Sequence, residues 1–193
     1  MTDVQLSTHR VPAVEDRRDI GDVIGFWRLS EGDWFSRNPD FDRDFRERFL
    51  PLYEEVAAQL HNGWGETPDG SLALLILTDQ FPRNAFRGTP HMYAIDALAR
   101  RYAWQALKAS HMDRVERPLR LFFCLPFAHS EDLPEQDISV MLNAKLGQPW
   151  LGHAEGHRDI IRRFGRFPHR NSILGRTTMP EEAEFLKRGG FQG

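Results

Sequence analysis

The stretch LALLILTDQFPRN, residues 72–84, opens with six apolar residues and closes on an acid, two amides and an arginine around Phe-Pro. An apolar run with no polar side predicts a helix buried at the centre of the molecule rather than one lying on its surface. Leu72, Leu75, Ile76 and Asp79 share one helical face, so the Asp79 carboxylate lies on the apolar stripe. It also lies near the predicted C-terminus of that helix, where the macrodipole disfavours negative charge. Pro82 is expected to end the helix there. A carboxylate in such a place needs a cation or several hydrogen-bond donors.

Two further helices read the same way. LFFCLPFA (121–128) is apolar throughout and runs into His129, Ser130, Glu131 and Asp132, with Phe122, Pro126 and His129 on one face. His157, Ile160, Ile161 and Phe164 fall at i, i+3, i+4 and i+7, which places His157 on the core side. FGRFPHRN (164–171) then repeats the Phe-Pro and Arg-Asn of residues 81–84. In both places the Phe-Pro step is expected to anchor a helix break in the core, and Arg-Asn to present donors at that break. Three helix ends releasing acids, amides, histidines and arginines predict one polar pocket with apolar walls, the build of a small-molecule site.

The rest of the chain is helical in pattern too. Ile20, Val23, Ile24 and Trp27 are spaced as one helical face. Asn38-Pro39 reads as an N-cap followed by proline at the first helical position. The helix it opens carries Phe41, Phe45, Phe49, Leu52, Val56 and Leu60 on one side, with a bend expected at Pro51. Ile95, Leu98, Ala99, Tyr102 and Ala106 mark another helix, Ile138, Met141 and Leu142 one that Gly147 ends, and MPEEAEFLKRGG (179–190) a last short one. No segment alternates with period two. The expectation is all-α: seven to nine helices, no sheet, in one domain over residues 16–193 after a loosely held lead-in at 1–15.

Composition excludes several function classes. The 193 residues are 40% hydrophobic and 27% charged, ordinary for a globular protein. A net charge of −3 does not suit a nucleic-acid-binding surface. The single cysteine, Cys124, forms no intrachain disulfide and sits in an apolar run, where a cysteine is an inert small hydrophobe. The longest apolar run, 121–128, is far short of a membrane span, and the N-terminus has no apolar signal region. A cytoplasmic location is expected. There is no phosphate-loop or dinucleotide fingerprint, so no cofactor is expected.

DQFPRN, PFAHSEDL (126–133), HRDIIRRFGRFPHRNSILGR (157–176) and WFSRNPDFD (34–42) resemble the signature of a bacterial family known as domain of unknown function 924, over roughly residues 20–188. The resemblance implies a tetratricopeptide-like antiparallel helical array and no assigned reaction. Two positions depart from the family pattern: Arg28, where another aromatic usually follows Phe-Trp, and Ala128, where a larger residue usually precedes the histidine.

The candidate site follows from these motifs. Arg83, Arg166 and Arg170 are expected to grip a small anion, a carboxylate or phosphate. Asn84 and Asn171 would orient it, and His129 or His169 would handle protons in hydrolase-like chemistry. Asp79 would hold a histidine or arginine in place, and Gln80, Ser130, Glu131 and His157 complete the proposed wall. Several plainer readings stand beside this one. Asp132 with Glu135 looks like a helix N-cap. Ser130 could be a nucleophile only in a triad assembled from separate segments. His153 and His157 have the i, i+4 spacing of a metal pair, but the glutamate is misplaced for the zinc motif, and no metal is assigned. Arg158 and Arg162 read as a solvated face, and Arg163 as a partner of Asp159. The whole cluster could instead be a buried network in a scaffold that binds peptide or protein partners.

Overall fold

The buried run at 72–77 lies at the centre of the fold: Leu72 to Leu77 are each at most 1% exposed in the structure, a computed structural model that describes residues 14–192. α3 (Pro68–Leu75) opens on an N-cap in which Thr67 accepts from the Gly70 N–H. It does not stop at Pro82. It passes through one π-helical turn, Ile76–Gln80, into α4 (Phe81–Ala85). In that turn the Phe81 N–H reaches back to the Ile76 carbonyl, so the wider ring absorbs a residue that a regular helix could not. Pro82, which has no N–H to give, is thereby carried inside a continuous rod.

Around this rod stand α1 (Val14–Leu29), α2 (Pro39–Ala57), α5 (Asp96–Lys108), α6 (Leu121–Ala128), α7 (Leu133–Leu146), α8 (Trp150–Phe164) and α9 (Pro180–Lys187). That makes nine α-helical segments in eight rods, with no strand among the described residues. Of the lead-in expected at 1–15, residues 1–13 lie outside the described residues, and α1 already begins at Val14. α5 to α8 pack each on the next, whereas α1 packs on α3 and α2 on α4.

The aromatic core gathers where α1, α2 and α4 meet. Trp27 and Phe45 are fully buried with ring centroids 5.3 Å apart, and Phe81 reaches Phe45 at 5.1 Å. Asn38 caps α2 as expected, accepting from the N–H groups of Asp40 and Phe41. Two expectations fail locally. α2 ends at Ala57, so Leu60 falls beyond it and is 72% exposed; the buried fourth position is Tyr53, one residue after the expected Leu52. Asp132 occupies the N-cap position of α7 but its side chain makes no cap bond. The Ser130 hydroxyl instead braces the turn before the helix, accepting from the Asp132 N–H while donating to Glu135 at 2.5 Å.

Candidate functional site

The π turn fixes the first wall of the site. It carries Asp79 and Gln80 into the interior, and Asp79 is 1% exposed. Arg83, one turn on, folds back so that Nη1 donates to the Asp79 carbonyl at 2.7 Å and lies 3.2 Å from Asp79 Oδ1. Gln80 donates to Asp79 Oδ2 at 2.6 Å. The second wall comes from α6, whose last carbonyls turn His129 inward, with Nδ1 2.8 Å from Asp79 Oδ1. Because an ionised carboxylate only accepts, this bond puts the imidazole proton on Nδ1 and leaves Nε2 as the free base. Burial pushes the Asp79 carboxyl upward, but Arg83 and His129 prevail and hold it at about 2. Burial and the nearby Arg83 push His129 below its ordinary value against the pull of Asp79, so the ring is neutral at pH 7.

The third wall is the segment after α8. Gly165 takes the left-handed conformation (φ 68°), ending that helix, and Pro168–Arg170 form a short 3-10 turn. Arg170 is 6% exposed and donates from Nη2 to the His129 carbonyl at 2.8 Å. Its guanidinium is sandwiched between the rings of Tyr93 and Phe167, at 4.7 and 4.6 Å. Its nearest carboxylate, on Asp96, is 3.9 Å away and is also 3.0 Å from Arg83. The Arg170 Nε makes no hydrogen bond. Burial and the neighbouring Arg83 both work against the Arg170 charge.

These elements enclose a cavity of about 560 Å³, within the range of small-molecule sites. Gln80, Arg83, Asn84, His129, His157, His169 and Arg170 line it, with Arg37 and Arg87 farther along α1–α2 and α4. Trp34, Phe35, Leu121, Leu125, Trp150 and Ala154 supply apolar wall. Among the described residues the wall carries no Asp or Glu; Asp79 and Asp96 stand behind the arginines they pair with. His157 and His169 each keep a buried Nδ1 without a partner, and burial, reinforced by neighbouring histidines and Arg170, lowers them to about 3 and about 4.

Four of the expected residues go elsewhere. Arg166 forms a bidentate pair with Glu182 of α9, at 2.6 and 2.8 Å, and Asn171 donates to the same carboxylate at 3.0 Å. Ser130 is tied to Glu135, which also holds Arg100 at 2.9 Å. Glu131 accepts from the Phe167 N–H and pairs with Arg176 at 2.8 Å, bracing the loop behind the cavity. Asp159 pairs with Arg162 rather than Arg163, which lies over Phe164 instead. Arg158 is not a solvated residue: it is largely covered, with its guanidinium 3.6 Å from Asp137. Among the described residues no group of three or more His, Cys, Asp or Glu is placed to hold a metal ion. Cys124 is fully buried, and burial raises its thiol to about 12.

The sequence reading missed Asp96, Tyr93, Arg37 and Arg87. Arg37 stands in WFSRNPDFD, which reads as a family signature and an N-cap but not as a source of site residues. Tyr93 lies in a short 3-10 turn without periodicity, and Asp96 is a polar position between the apolar ones of α5, so no spacing pointed to either.

The family model described as Bacterial protein of unknown function (DUF924) matches residues 23–190. The chain belongs to this family. A solved structure titled Structure of Protein of Unknown Function ATU0120, from Agrobacterium tumefaciens, is 47% identical, covers 90% of this chain and 99% of its own, and superposes with a TM-score of 0.88. No curated protein matches the chain.

Proposed function

We propose that the cavity binds a small anionic molecule with an apolar body. The observation that carries this is Arg170: a buried guanidinium, clamped between two rings, with an unbonded Nε and only a shared carboxylate at 3.9 Å. A buried cation short of a counter-charge gains most from an arriving anion. The remaining wall fits the same ligand, with Arg83 and the amides of Gln80 and Asn84 at one end and Trp150, Phe35 and Leu121 at the other. In this reading residues 16–193 act as one helical domain of a cytoplasmic protein. No helix among the described residues is long and apolar enough to cross a membrane.

One observation favours the second reading, a structural network in a tetratricopeptide-like scaffold. Asp79, Arg83, Asp96 and Arg170 already pair among themselves, so the cluster can hold α3–α4, α5 and the 168–170 turn together without a ligand. Thermal unfolding with matched acids and amides separates the two. Phenylalkanoates should raise Tm in a concentration-dependent way while the isosteric neutral amides do not. Equal or absent shifts for acid and amide would leave only the network.

A further inference from the structure

We propose that His129 is a general base that activates water against a carboxylic ester bound in this cavity, with Asp79 as its positioning residue. This rests on the anion-binding reading and adds a reaction to it. A base, its orienting group and a place for the substrate are the parts a hydrolytic site needs. Asp79 is locked by three neighbours: His129 at 2.8 Å, Gln80 at 2.6 Å and Arg83 at 3.2 Å. It therefore fixes both the tautomer and the plane of the imidazole. The His129 side chain is 20% exposed, against 2% for Asp79, and lines the cavity, so the pair has a covered end and an open end. The ring is neutral at pH 7, as a general base must be.

The attacking group is water, because the protein nucleophiles are spent or sealed. Ser130 donates to Glu135 and does not line the cavity, and the Cys124 thiol is buried. In the step, the water oxygen bonds to the ester carbonyl carbon while His129 Nε2 takes one of its protons. The carbonyl oxygen becomes an oxyanion in the positive field of Arg83 and Arg170, both near His129. Collapse breaks the bond to the leaving oxygen, which takes the proton back from Nε2. The products are an acid and an alcohol, and no oxidant, metal or second substrate is consumed. The arginines place the substrate's own anionic group beside the scissile bond, so the substrate class is an ester carrying a carboxylate, with an apolar leaving group.

The test uses mono-4-nitrophenyl glutarate, following nitrophenolate release, with glutarate melting shifts in parallel. The wild type should hydrolyse it well above buffer, and kcat/KM should rise with pH through a single group. His129→Gln keeps a donor for Asp79, so it should still show the glutarate shift but lose about 10²–10⁴-fold in kcat. Added imidazole should restore part of the rate in His129→Gly. A glutarate shift without hydrolysis overturns the proposal and leaves anion binding standing; neither signal sinks both. Full activity in His129→Gln, or turnover of 4-nitrophenyl phosphate but not the carboxylic ester, also overturns it. If the variants do not fold, a flat wild-type pH profile does so alone.

Discussion

The two Phe-Pro segments look alike in sequence and have parted in role. At residues 79–84 the helix continues through a π turn, with Arg83 on the cavity wall and Asp79 behind it. At residues 164–171 the helix stops at Gly165, and the loop divides its polar groups between two places. Arg166 and Asn171 turn to Glu182, while His169 and Arg170 line the cavity. The Glu182 cluster is closed: both carboxylate oxygens are used, including one by the Met179 N–H. The Asp79 cluster closes on one side and leaves Arg170 and His129 facing open space. Similar residue sets therefore make a closed brace where a carboxylate answers the arginine fully, and leave a buried cation short of a counter-charge where it does not.

Removing each acid should expose this contrast. Asp79→Ala leaves Arg83 with only the shared Asp96 and should cost about 3–5 kcal/mol, read as a large fall in Tm, while the anion-induced shift grows because the arginines are less answered. Glu182→Ala leaves Arg166, whose side chain is 28% exposed and can rehydrate, so the loss should be about 1–3 kcal/mol. Its anion shift should remain that of wild type. Equal losses in both variants, or a lost anion response in Glu182→Ala, would erase the distinction.

Acid should act on the cavity in two stages. His157 and His169 fall from an ordinary 6.5 to about 3 and about 4 in the fold. The unfolded chain thus binds protons first, and stability should decline as pH drops from about 6.5 towards 4. Asp79 is lowered from 3.8 to about 2, so its contribution is full above about pH 4 and is lost between about 4 and 2. His169→Gln should reduce the first stage to the part that His157 carries and leave the second, as seen in denaturant unfolding across pH. Smallest of all, Trp150→Ala should leave the unfolding free energy within about 1 kcal/mol of wild type, since Trp150 is half-buried at the cavity rim. It should weaken only acids with long apolar bodies.

Much of the architecture is legible in apolar spacing alone. LALLIL is buried because nothing in it tolerates water, and Ile20, Val23, Ile24 and Trp27 form the inner face of α1 as their period requires. The position of Asp79 on that stripe foretold a cationic partner, since a buried carboxylate admits few alternatives. What the sequence hid were choices among partners. Arg166 or Arg170 could equally have answered Asp79; Arg83 of its own rod takes it, while α9 brings Glu182 against Arg166, and no local rule sets that docking. Pro82 reads as a stop because helix rules assume a regular ring; the π turn is a tertiary solution, held by full burial of Ile76 to Asp79. Asp96 and Tyr93 are invisible for the same reason, being defined by what they face.

The central claim, that the open cluster receives an anion, is tested most directly by a crystal structure of the protein soaked with 4-phenylbutyrate. Density for the carboxylate is expected within hydrogen-bond distance of Arg170 or Arg83, with the phenyl ring against Trp150 and Leu121. Density for the ligand only at the Glu182 cluster or the outer surface, with Arg170 still unanswered, would contradict it.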